Sequence, residues 1–175
     1  MGRYFNTAQI SLTNSAFQHA ERLIGDYFRM SLEKIRNHRY DVRTLAFLDK
    51  HEVKEGAFAH LCKYRYGKDG EPNEGGLHFY RICLQDDGIL DAVERAHSFI
   101  KLSPLLLYIA AHELVHVVRF DNGEISFEMS AAEKREEEEK VHGITREVLQ
   151  AALKPDLKLV LDCFSNRYQL GDIYG

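Results

Sequence analysis

The sequence predicts an α+β chain, with helices packed on a small antiparallel sheet and a metal site between two of the helices. Three observations carry this reading. Apolar residues recur at helical spacing in both halves of the 175-residue chain. Between them, residues 57–84 switch to the alternation of strands. One strongly apolar helix then carries His112, Glu113 and His116, the pattern H-E-x-x-H.

The elements follow in order. Residues 15–36 read as one long amphipathic helix, with Phe17, Ala20, Ile24, Tyr27, Phe28 and Ile35 at helical spacing. Gly25 weakens it by about 1 kcal/mol. The apolar-rich piece 42–48 is open between helix and loop, and no linker follows it. From residue 57, Phe58, His60, Cys62 and Tyr64 alternate with Ala59, Leu61, Lys63 and Arg65, and residues 77–84 alternate again. The stretch GKDGEPNEGG between them has loop composition, so the pair reads as a hairpin with a long exposed tip. Asp86, Asp87 and Gly88 mark a turn, and residues 89–100 a short helix.

Ser103 is then a good N-cap, with Pro104 at the first helical position. Residues 105–111 are apolar all round, which predicts a buried helix ending near Phe120. Ser130 and Glu133 fit a capping box opening a helix over 130–153. Lys154-Pro155 ends it, and residues 155–166 form a last helix. With no boundary signal, residues 1–175 read as a single domain whose metal-site core spans about 103–153.

Composition narrows the function classes. A net charge of −4 and a pI near 6.1 argue against a general nucleic-acid or anionic-membrane binder. No apolar run approaches the length of a membrane span, and the first residues lack the apolar core of a secretory signal. Cys62, Cys83 and Cys163 are odd in number and widely spaced. They read as free thiols in a reducing compartment, with the cytoplasm as the default.

The H-E-x-x-H helix holds the chemistry. Positions i and i+4 share a helix face, so His112 and His116 stand side by side where one metal ion can join them. Glu113 flanks that position and is placed to take a proton from a metal-activated water. A histidine pair can also be ordinary hydrogen-bonded core. The apolar surroundings weigh against that, because three polar groups on a buried helix are costly without a partner.

A catalytic zinc takes three protein ligands. The acidic run EKREEEEK at 133–140 offers the third. Val141, Ile144, Val148 and Ala152 define the buried stripe of that helix. Stepping back from it turns Glu137 and Glu138 inward and Glu136 and Glu139 outward. Either inward carboxylate has the phase of a ligand. His142, four residues after Glu138, lies near the same face.

H-E-x-x-H on one helix with a glutamate on the next resembles the gluzincin metallopeptidases, in a compact form. The resemblance covers about residues 105–149. It implies a zincin-like domain with zinc held by His112, His116 and Glu138, and Glu113 as general base. Glu138 follows His116 by 22 residues. His142 occupies the position from which that family usually orients a zinc histidine with a carboxylate. The metzincin pattern fails, because Arg119 and Asn122 stand where its glycine and third histidine belong.

The function implied is a zinc-dependent peptidase-like hydrolase acting on a peptide or protein, with no nucleic-acid or membrane partner. Tyr174 and Arg146 are candidate oxyanion donors. One alternative is a metal-binding regulatory or interaction protein on a peptidase-like fold, with little or no hydrolysis. Another is a metal-free helical interaction module with a coincidental motif. His60 and His78 read as solvent-facing hairpin residues, and His19, His38, His51 and His97 as surface residues.

Overall fold

A computed structural model of the chain describes residues 3–66 and 77–164. The predicted hairpin tip, the end of the last predicted helix and Tyr174 lie outside the described residues.

The fold is mixed helix and strand, as predicted, with boundaries that differ in instructive ways. The first predicted helix is two helices. α1 runs Thr7–Phe28, opened by a capping box between Asn6 and Gln9. It stops at Arg29, which takes the left-handed conformation at φ 55°, and α2 follows at Leu32–Arg36 behind the Ser31 cap. Gly25 serves this turn. A Cβ there would stand 2.8 Å from the Met30 carbonyl oxygen, which leaves no room for a side chain between the two helices.

β1, at Tyr40–Arg43, overlaps only the start of the stretch 42–48 that the sequence left open between helix and loop, and short 3-10 turns follow at Leu45–Phe47 and Lys50–Glu52. β2 at Ala59–Tyr66 and β3 at Leu77–Leu84 form the predicted antiparallel pair. The sheet as a whole is not antiparallel. Its order is β1-β3-β2, and β1 runs parallel to β3, with Val42 opposite Ile82. A four-residue, half-buried strand is too short to show a period in the sequence.

α3 spans Asp86–Arg95, not 89–100. Asp86 is a buried anchor, not a turn residue: its carboxylate accepts the Phe5 and Leu45 backbone N–H groups at 2.8 and 3.0 Å. The helix ends early because His97 and Ser98 take positive φ.

α4 spans Leu102–Asp121, starting one residue before the predicted Ser103 cap. Pro104 therefore sits in the first turn, where a missing N–H breaks no intrahelical bond. α4 is also, among the described residues, the one helix long and apolar enough to cross a membrane, contrary to the expectation that no run approaches that length. Its apolar window is 83% buried inside the fold, as in a core helix. α1, α5 (Ala131–Leu149) and α6 (Pro155–Phe164) all pack on it, and β2 touches it. Ser130 caps α5 by accepting the Glu133 N–H. α5 gives way to a 3-10 turn at Gln150–Ala152, short of the predicted end at 153.

Candidate metal centre

α4 and α5 pack side by side, and their facing stripes bring together the residues that the sequence singled out. His112, Glu113 and His116 are all buried on α4. On α5, Glu137, Glu138 and His142 are buried, while Glu136 and Glu139 are exposed. Helical phase thus sorted four consecutive glutamates correctly.

The two inward glutamates have different partners. Glu138 reaches the histidine pair, with Oε2 at 3.2 Å from His112 Nε2 and Oε1 at 2.8 Å from His116 Nε2. One ligand atom from each of the three residues lies within 4.8 Å of the others. Glu137 is taken by Arg119, whose Nε and Nη2 donate to its two oxygens at 2.8 and 2.7 Å in a bidentate pair. The alternative left open in the sequence, Glu137 or Glu138 beside the histidines, is resolved in geometry for Glu138.

His142 flanks the cluster. Its ring centre is 4.9 Å from that of His112, and its Nε2 is 3.8 Å from Glu138 Oε2. Its Nδ1 is hydrogen-bonded to the Tyr108 hydroxyl at 3.1 Å. Tyr108 stacks on His112 and Phe120 on His116, with ring centres 6.0 and 5.8 Å apart.

Electrostatics follow from burial. Desolvation pushes His112 below its ordinary value, and pushes His142 down to about 4. Both are therefore held as neutral imidazoles, the form that binds metals. Burial, with the Glu138 charge added, raises Glu113 well above the usual carboxylate range. Burial acts on Glu138 in the same sense, but His116 and His112 outweigh it and hold that carboxyl far below the usual range.

The donor set suits a metal ion. Two imidazole nitrogens and a carboxylate converge from two helices, in the ligand chemistry that zinc takes at catalytic sites. Among the described residues, Glu113 Oε2 and His142 Nε2 are buried with no hydrogen-bond partner, which in a fully buried cluster points to a missing polar or cationic occupant.

Tyr108 and Arg119 were missed as site residues, although helical phase carries both. Tyr108 is one turn before His112 and Arg119 nearly one turn after His116, on the face that meets the acidic run. Of the other histidines, His51 and His97 are exposed as expected. His38 is not a surface residue: it is buried, and its Nδ1 contacts Asp121 Oδ2 at 2.6 Å, while His78 Nε2 contacts Oδ1 of the same carboxylate at 2.7 Å. His38 lies on no periodic element, so the sequence carried no sign of its burial. Arg146 is half-buried on α5.

No family model, no curated protein and no solved structure matches this chain.

Proposed function

We propose that the chain is a zinc-dependent, peptidase-like hydrolase on a zincin-like fold, with His112, His116 and Glu138 as metal ligands. The observation that carries this is the convergence of three ligand atoms within 4.8 Å from an H-E-x-x-H helix and its neighbour. A zinc ion held there would supply Lewis acidity toward a peptide carbonyl and an acidified water.

The chain's own residues have defined tasks in this reading. His112 and His116 offer their Nε2 atoms, and Glu138 offers the one carboxylate ligand. Glu113 is the general base. It sits next to His112 on the same helix but outside the group of ligand atoms. A carboxyl whose affinity for protons is raised by burial suits a group that accepts a proton from water and passes it to a leaving amine. Tyr108 holds His142 by Nδ1, so that its other nitrogen is directed to the Glu138 side.

A second reading is favoured by one specific observation. His112, Glu113, His116 and Glu138 are all at most 5% exposed. Such burial suits a protein that binds metal for regulation or interaction, without turnover, as well as one whose site opens to substrate. A peptide-library cleavage assay on the zinc-loaded protein separates the two. Cleavage that Glu113→Gln abolishes, with zinc content unchanged, is the expected result. Stoichiometric zinc without cleavage would favour the second reading, and no uptake of any transition metal would sink both.

A further inference from the structure

Among the described residues, β1 pairs with β3 on one side and with no strand on the other. A cavity of about 500 Å³ opens between β1, α1 and the Leu45–Phe47 turn. Val42, Arg43 and Thr44 line it in succession. Successive side chains of a strand point to opposite faces, so a cavity that touches all three runs along the strand's unpaired edge. Its volume falls in the range of small-molecule sites, about 300–1,000 Å³. A four-residue edge that carries Asp41 and Arg43 is a poor template for strand addition, and this favours a small molecule over an extended peptide.

The lining divides into an apolar part and a polar part. Ile10 and Val42 are half-buried and pack against the core. The Thr13 hydroxyl is spent on the Gln9 carbonyl at 2.9 Å, so its proton is not free for a ligand. Phe47 is 66% exposed, which leaves an aromatic ring of the lining bare to solvent. Arg43 is the one charged residue of the lining. Its ion pair with Asp41 is long, at 3.9 Å, and that carboxylate is already held by Arg81, whose Nε and Nη2 donate to it at 3.0 and 3.1 Å. Asp86 is turned away to the Phe5 and Leu45 N–H groups. Asn14 and Thr44 add uncharged hydrogen-bonding groups, and the Thr44 side chain makes no capping bond to the turn that it opens.

We propose that this cavity is a binding site for a small aryl carboxylate, with Arg43 pairing the carboxylate and Ile10, Val42 and Phe47 covering the ring. The charge complementarity carries the choice of ligand. A guanidinium with only a long, shared ion pair can take a carboxylate in two parallel hydrogen bonds, the pairing its planar fork suits. A flat ring suits the rest of the lining, because it packs on the exposed Phe47 ring and removes apolar surface of both from water. None of these residues belongs to α4 or α5, so the site does not depend on the reading of the metal centre.

The test is a titration of the full-length chain, followed by amide chemical shifts, with 2-naphthoate and with its uncharged isostere 2-naphthamide. A chelator is present throughout, so that a carboxylate cannot report from a metal on α4 and α5. A probe of this size at ordinary ligand efficiency should bind with a Kd on the order of 1 mM. The expected shifts are at Asn14, Arg43, Thr44 and Phe47, with 2-naphthoate binding about tenfold more tightly than 2-naphthamide, as the loss of a charge-assisted pair implies. Arg43→Gln should remove that difference by weakening 2-naphthoate alone, and Phe47→Ala should weaken both probes. Equal affinity of the two probes for the parent chain would overturn the proposal without recourse to any variant. Shifts confined to other parts of the chain would overturn it too, as would an Arg43→Gln variant that still prefers 2-naphthoate by the parent's factor.

Discussion

Glu137 and Glu138 are adjacent on α5, both buried, and both aimed at α4, yet they end in opposite electrostatic situations. Glu137 meets a guanidinium that satisfies both of its oxygens and balances its charge. Glu138 meets two imidazoles, and burial drives His112 and its neighbour His142 toward the neutral form. The first pairing is complete among protein atoms. The second gathers a carboxylate and imidazoles around a buried site in which Glu113 Oε2 and His142 Nε2 have no hydrogen-bond partner. Along one helix seam, the contrast separates an ion pair that serves the fold from a cluster that calls for a cation.

The largest expected effects come from breaking each half separately. Glu138→Ala should abolish tight zinc binding, exceeding the roughly 10–100-fold loss typical of groups outside the ligand set. Zinc in the parent should also raise thermal stability, by about 2.7 kcal/mol at a free concentration of 100 Kd, and the variant should lose that response. Arg119→Ala should do the reverse. It leaves Glu137 buried and unpaired, at about 3–5 kcal/mol, or a melting temperature lower by about 10 °C for a chain of this size. Its zinc stoichiometry should stay at that of the parent. Calorimetric titration and thermal melts of both variants test the contrast. It fails if Arg119→Ala loses the metal while Glu138→Ala keeps it.

Much of this seam was legible in the sequence because both helices are long and periodic. The inward phase of Glu137 and Glu138 follows from Val141, Ile144 and Val148, whatever the rest of the fold does. Phase alone could not divide the two glutamates, since they differ by about 100° and both fall on the inward side. The division is made across the helices, by where Arg119 and the histidines lie on α4. Elsewhere, local signals were overridden or too short. β1 has four residues and is recognised through its pairing with β3. The break between α1 and α2 depends on Arg29 in a left-handed conformation, where no glycine or proline stands to announce it. Asp86 reads locally as a turn residue and is held in place by Phe5 and Leu45, both remote in the chain.

His142 sharpens the comparison at an intermediate scale. As a positioning residue, held by Tyr108 and facing Glu138, it orients the site from outside the ligand set. His142→Ala should then cost about 10–100-fold in zinc affinity with the stoichiometry intact. Tyr108→Phe, which frees Nδ1, should shift affinity in the same direction by less. Isothermal titration of the two variants reads both effects. Complete loss of metal in His142→Ala would make it a direct ligand, and the centre a three-histidine, one-carboxylate site.

The smallest expected effect is the control on the whole contrast. Glu136 and Glu139 flank the inward pair in sequence and are exposed. If the inward pair act through their positions and not through the local density of negative charge, removing either neighbour should do little. Glu136→Ala and Glu139→Ala should each leave stability within about 0.5 kcal/mol, as surface substitutions usually do. Zinc affinity should change by less than the outer-shell effect at His142. The residual change should also shrink as salt is raised, because solvent screens an exposed charge over about 10 Å at 0.1 M ionic strength. Zinc titrations of these two variants at low and high salt give the answer. A loss as large as that of Glu138→Ala, persisting at high salt, would mean that the run acts as a collective field, and the distinction drawn between Glu137 and Glu138 would fall with it.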